Sequence, residues 1–166
     1  MRIERLYISP GHNYFGHHGK APGEAPVKAV YEVECDAGKG VRGDRFYDYK
    51  PDYKGQITFF SAEVYLELCD RFGVTDKDPS AFRRNVIVSG ADLNALVGKE
   101  FEVQGIRFLG TQEAAPCYWM DRAFHEGAEE ELRGRGGLRA KILTSGVLRC
   151  ESARPIESRM RHPRAQ

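Results

Sequence analysis

The sequence predicts a mainly β fold with peripheral helices, in the form of a distorted β-barrel or strongly twisted sheet. Three observations point there. Short β-rich runs recur between glycines, only two segments keep a helical period, and no repeat or low-complexity linker divides the 166 residues. A chain of this length buries a substantial core as one unit.

The elements follow in order. RIERLYIS (2–9) opens as a strand. VKAVYEVEC (27–35) alternates, which places Val27, Ala29, Tyr31, Val33 and Cys35 on one face of a half-buried strand. QITFF (56–60) is the next strand, and Ser61 caps a helix. Val64, Leu68 and Phe72 share a face of that helix until Gly73 stops it. NVIVSG (85–90) returns to strand, and DLNALVG (92–98) makes a connecting turn. EFEVQ (100–104) and IRFLGT (106–111) form a hairpin about Gln104-Gly105. A second helix lies within MDRAFHEGAEEELRG, where Met120, Phe124, Ala128 and Leu132 align and Gly127 offers a point to split. LRAKILTSG (138–146) is the last strand. Residues 1–154 are expected as one domain, with 155–166 a polar, flexible tail.

Composition narrows the classes of function. Twenty-five basic residues against 24 acidic ones leave a net charge of +1, which argues against a broad nucleic-acid surface. Four cysteines (35, 69, 117 and 150) lie far apart with no CxxC pair, so reduced thiols in a cytoplasmic setting are expected rather than a disulfide framework. The start of the chain turns polar too early for a signal peptide, and no apolar run spans a bilayer, so neither a membrane nor a nucleic acid is expected as partner.

Four stretches can carry chemistry. In QEAAPCYWMD, Pro116 leads the chain extended into Cys117, just before a helix start that favours a thiolate. The alternative is a buried packing cysteine, which is the stronger reading for Cys35, Cys69 and Cys150. In FRRNVIVSG, Arg83, Arg84 and Asn85 suit a phosphate or other oxyanion, or form a basic corner paired with Asp76 and Asp78. GKGVRGDRF places three glycines around Arg42, Asp44 and Arg45, as a tight turn or an anion cradle. GHNYFGHHGKAPGEAP holds His12, His17 and His18, which suit zinc, another ligand or plain solvent.

Taken together and in order, YISP, GVRGDRF, ITFFSAE, FRRNVIVSGADLNALVGKEFEVQGIRFLG, APCYWMD and GRGGLRAKIL resemble the MOSC domain, the molybdenum cofactor sulfurase C-terminal domain. The resemblance implies a β-rich distorted barrel whose signature cysteine corresponds to Cys117. It implies molybdenum cofactor, a molybdopterin, with Cys117 on the metal and Arg45, Ser61, Arg83 and Asn85 around the pterin and its phosphate. In other members the cysteine is thought to carry a persulfide.

There are departures from the family pattern. The PVKS-type loop after the first strand is replaced by the histidine-rich loop, where Lys20 or a histidine is the candidate substitute. The GDRxH histidine is absent, since Phe46, Tyr47 and Asp48 follow Arg45. No attached electron-transfer or cysteine-desulfurase-like domain is expected. Electrons or sulfur are therefore expected from a separate partner, with pyridoxal phosphate entering only through such a partner enzyme.

The expected activity is reduction of small N-hydroxylated or related N–O substrates, with Cys117 as catalytic ligand and His17 or His18 passing a proton. Two alternatives stand beside it: a sulfur carrier bearing a persulfide on Cys117 without turnover of its own, and a metal-binding protein that uses the histidine loop.

Overall fold

The computed structural model describes residues 1–11 and 26–152. The histidine loop at 12–25 and the tail from 153 lie outside the described residues, and with them the expectations for His12, His17, His18 and Lys20.

Strands β1 (Arg2–Ile8), β2 (Lys28–Val30), β5 (Ile57–Ser61), β6 (Val86–Ser89), β7 (Glu100–Val103), β8 (Ile106–Glu113) and β9 (Leu138–Ile142) form one sheet in the order β2-β1-β6-β5-β9-β8-β7. Strands β3 (Glu32–Asp36), β4 (Gly40–Val41) and β10 (Gly146–Arg149) form a second, in the order β10-β3-β4. Helix α1 (Ala62–Phe72) and the short turns α2 (Trp119–Ala123) and α3 (Ala128–Glu131) cover the other face of the larger sheet.

The core is two layers separated by that larger sheet. Successive residues of β5 and β6 point to opposite sides, as the two-residue period of a strand requires. Phe59, Val86 and Val88 join Ile3, Val33 and Leu148 between the sheets, whereas Phe60 and Ile87 join Tyr65, Leu68 and Phe124 under the helices. Both strands are therefore apolar on both faces, as central strands must be. β5 and β6 run parallel, with Phe59 opposite Val86, and β9 lies antiparallel on the other side of β5 with Arg139 opposite Thr58.

Helix α1 begins and ends as its sequence predicts. The Ser61 hydroxyl accepts from Val64 N at 3.2 Å, and Gly73 at φ 66 donates its N–H to the Cys69 carbonyl. The hairpin turn has Gln104 at φ 50 and Gly105 at φ 80, the two positive angles that a two-residue turn of this hand needs. Gly127, at φ 89, splits the second helix into α2 and α3, while Met120, Phe124, Ala128 and Leu132 all remain buried.

Three expectations need correction. The strand expected over 27–35 is broken at Tyr31, which is 68% exposed. Before it, Val30 pairs with Leu6 of β1; after it, Val33 pairs with Leu148 of β10, so the two halves serve different sheets. The last strand stops at Ile142, and Gly146 begins β10 in the second sheet. Nor is the barrel closed. Closure would require β2 to meet β7, but the chain leaves β2 for the second sheet, so both remain edges among the described residues. No described helix is long and apolar enough to cross a membrane.

Candidate functional site

Where β5 and β6 begin, segments 45–55, 82–85 and 114–120 enclose a cavity of about 550 Å³. Arg45, Arg83, Asn85 and Cys117, expected to act together, all line it. So do Arg84 and Arg139, together with an aromatic wall built from Phe46, Tyr49 and Tyr53.

The floor is a buried polar knot. Asp44 Oδ1 accepts from Ser9 N at 2.9 Å and from Asn85 Nδ2 at 3.2 Å, and its Oδ2 accepts from Phe46 N at 3.2 Å. Asn85 also donates from Nδ2 to the Tyr7 carbonyl at 3.3 Å. Its Oδ1 accepts from both Thr58 N and Thr58 Oγ1 at 3.0 Å. A primary amide has two donors and two main acceptor positions, and all four are in use. Asn85 thus ties β1, β5 and the Asp44 turn together, and it shapes the site by fixing its neighbours.

The arginines are placed differently. Arg83 ends the 3-10 turn Pro79–Phe82 in the left-handed region at φ 55. That backbone sends its side chain towards β1, where Nη2 donates to Ser9 Oγ at 2.8 Å and to the Gly11 carbonyl at 3.3 Å. Its Nη1 is buried and has no hydrogen-bond partner among the described residues. Burial, reinforced by the charge of Arg45, pulls Arg83 down to about 10. Arg45 stacks over Phe46 at 4.7 Å and stands 3.6 Å from Asp44 Oδ1. Burial lowers its pKa, and Asp44 opposes that shift.

Arg84 turns the other way. Nε donates to the Gly136 carbonyl at 3.1 Å, Nη1 to Phe82 at 2.9 Å, and Nη2 to Ala114 at 2.8 Å. These acceptors are backbone carbonyls, so no carboxylate balances the charge directly. Burial first, then the like charge of Arg139, bring Arg84 down to about 10; Cys117 and Glu113 pull the other way.

The cysteine loop is held by close backbone packing. A Cβ at Gly136 would lie 2.5 Å from the Ala114 carbonyl oxygen and 2.9 Å from Pro116 Cδ. At Gly137, at φ 112, it would run into the Phe59 carbonyl. Only glycine lets this strand approach so closely. Cys117 is half-buried, and its carbonyl accepts from Met120 N at 2.9 Å. Helix α2 that follows has only five residues, so its dipole is small. Trp119 Nε1 donates to the Ala81 carbonyl at 3.2 Å, which fastens the loop's far side. Across the cavity Phe46, Tyr49 and Tyr53 pack with ring centroids 5.0 to 5.5 Å apart.

Ser61 does not line the cavity. Its hydroxyl serves the α1 cap and also donates to Glu63 Oε2 at 2.8 Å. Cys35 is a packing residue, its thiol pushed up to about 12 by burial. No cluster of three metal-ligating side chains occurs among the described residues. Arg139 and the aromatic wall were not singled out from sequence. The alternation of LRAKI marks Arg139 only as facing away from the core, and Phe46, Tyr49 and Tyr53 follow no regular period.

A model of the MOSC domain matches residues 17–157. The chain belongs to the MOSC domain family. Among solved structures this MOSC protein is similar to the YUAD protein of Bacillus subtilis, at 20% identity over 90% of this chain and 91% of that one, with a TM-score of 0.67. It is also similar to YiiM from Escherichia coli, at 17% identity over 91% and 67% of the two chains, with a TM-score of 0.62. YiiM from Geobacillus stearothermophilus matches at 13% identity over 90% and 71%, with a TM-score of 0.64. At such identities the likeness is one of fold. No curated protein matches the chain.

Proposed function

We propose that this MOSC domain seats a molybdenum–pterin cofactor in the arginine-lined cavity and reduces small N-hydroxylated or related N–O compounds, with electrons from a separate donor protein. The observation that carries the reading is the presence, in one cavity, of the Cys117 thiol and the buried Arg83 Nη1 that lacks a partner among the described residues. A soft thiolate suits molybdenum, and a desolvated guanidinium suits a phosphate. The residues present fit the group on both counts.

Cys117 would hold the metal, while Arg83 and Arg45 would hold the phosphate. When bound, the cofactor supplies the two-electron chemistry. The chain's own residues perform the rest. Asn85 and Asp44 fix the anion-binding turn, Arg84 fixes the backbone on which Cys117 sits, and Phe46 and Tyr53 exclude water from one wall. His17 or His18 is assigned proton transfer to the substrate; a His17→Ala, His18→Ala double variant that turns over unchanged across pH removes that role.

The test is molybdenum and pterin per chain after purification from a cofactor-competent host, with wild type beside Cys117→Ser. Near-stoichiometric pterin in both, with molybdenum lost from the variant, is the expected result. If well-folded wild type holds neither, the enzyme reading fails, and the same thiol is then to be examined for the persulfide of a sulfur carrier.

A further inference from the structure

We infer that Arg139, with Arg84 beside it, forms a second oxyanion subsite in this cavity, separate from the one at Arg45 and Arg83. The sheet register places it there. Arg139 lies opposite Thr58 of β5 and opposite Gln112 of β8, and both Arg139 and Thr58 line the cavity, while Leu138 and Ala140 turn into the core. Arg139 is half-buried, and its side chain makes no hydrogen bond or ion pair among the described residues. Each of its five N–H donors is thus available.

Arg84 stands next to it. Its fork rests on the carbonyls of Gly136 and Ala114, in the segment leading into β9 and the one leaving β8. Glu113, which lies opposite Leu138 in the β8–β9 register, has Oε1 occupied by Gly136 N at 3.0 Å. Two guanidinium groups therefore share a cavity wall without a carboxylate bound to either, a field that favours an anion between them.

The two pairs are anchored on different elements. Arg83, turned by its positive φ, reaches Ser9 and Gly11, whereas its neighbour Arg84 reaches Gly136 and Ala114. The Arg45–Arg83 pair also has Asp44 at 3.6 Å from Arg45 to offset part of its charge, whereas Glu113 acts on Arg84 through its field alone, with no ion pair between them among the described residues. The ligand class for the second subsite is an oxyanion, a carboxylate or phosphate, carried by the substrate or by a further part of the cofactor. This deepens the reading above and relies on it only for the identity of the occupant.

The full chain, free of cofactor, is dialysed to equilibrium against labelled inorganic phosphate at constant ionic strength. Wild type is expected to hold one phosphate more per chain than Arg139→Gln, and one more than Arg83→Gln, with the two losses additive in the double variant. The Arg139 side chain makes no hydrogen bond among the described residues, so its variant should keep the wild-type thermal midpoint. An Arg139→Gln chain that holds as much phosphate as wild type overturns the inference. So does a loss that is complete in either single variant, which would mean one shared site.

In a chain loaded with pterin cofactor, a phosphate that still binds in an Arg139-dependent way assigns the subsite to a substrate anion. None remaining assigns it to the cofactor itself. If no pterin binds, the function proposed above fails, yet the phosphate difference between wild type and Arg139→Gln still decides this inference.

Discussion

The arginines on the outside of this protein and those in its cavity live under opposite rules. Outside, each of several finds a carboxylate: Arg42 with Asp36 at 2.8 Å, Arg107 with Glu100 at 2.7 Å, Arg149 with Glu32 at 3.1 Å. Hydrogen bonds to those acids hold Arg42 and Arg107 above the usual guanidinium range. Inside, Arg84 is met by carbonyls, Arg83 has a buried nitrogen without a partner among the described residues, and both are pulled down to about 10. A net charge of +1 conceals this, because acids neutralise the surface and leave the cavity positive. Local charge imbalance, rather than total charge, marks the candidate site.

The contrast can be tested by removing members of each class. The largest effect is expected from Arg84→Met, which strips a multidentate donor from the carbonyls of Phe82, Ala114 and Gly136. Leaving several buried acceptors unpaired should cost about 3 kcal/mol or more in urea denaturation. A loss below about 1 kcal/mol would mean that water replaces the fork readily.

Asn85→Asp comes next. It places a second carboxylate where Nδ2 now stands 3.2 Å from Asp44 Oδ1. Destabilisation of about 2 kcal/mol is expected at neutral pH. The sign with pH follows from linkage. Two facing carboxylates raise their shared folded-state pKa above the unfolded value, so the penalty is full above that folded pKa and lifts as pH falls through it. A penalty that deepens on acidification would show that the pair is not the cause.

Arg83→Gly separates stability from binding. Glycine accepts the φ of 55 that arginine holds under strain, a gain of roughly 1 kcal/mol that offsets the lost bonds to Ser9 and Gly11. The thermal midpoint should stay level or rise while phosphate binding at that subsite disappears. A clear drop would make Arg83 a structural residue. The smallest effect belongs to Arg149→Gln, whose denaturation midpoint should be indistinguishable from wild type because its pair is solvent-exposed.

What could be read in the sequence was what is decided locally. Ser61 and Gly73 bound α1, Gln104-Gly105 makes the turn, and Gly127 splits the helix, each through chemistry contained within a few residues. Pro116 and Cys117 stood out for the same reason. What could not be read depends on partners distant in the chain. Alternation holds after Tyr31, where Val33 and Cys35 are buried, but not before it, where Ala29 is exposed and Val30 packs on the core; nothing local says that Val30 seeks β1 and Val33 seeks β10. Arg83 and Arg84 form a matched pair as letters, yet one positive φ sends them to opposite sides. Family resemblance grouped Ser61 with the cavity residues, whereas its hydroxyl serves the helix cap.

The register of β9 has a consequence for the order of events in synthesis. Arg45, Arg83 and Arg84 leave the ribosome well before Arg139, whose strand must then insert between β5 and β8. Until it does, β5 has a bare edge, the Gly136–Gly137 segment cannot dock, and the cysteine loop has nothing to close against. Long-range pairing of this kind is a late step in folding. The pocket is therefore incomplete until β9 has paired, and a ligand that needs all four arginines meets a chain whose larger sheet is already ordered.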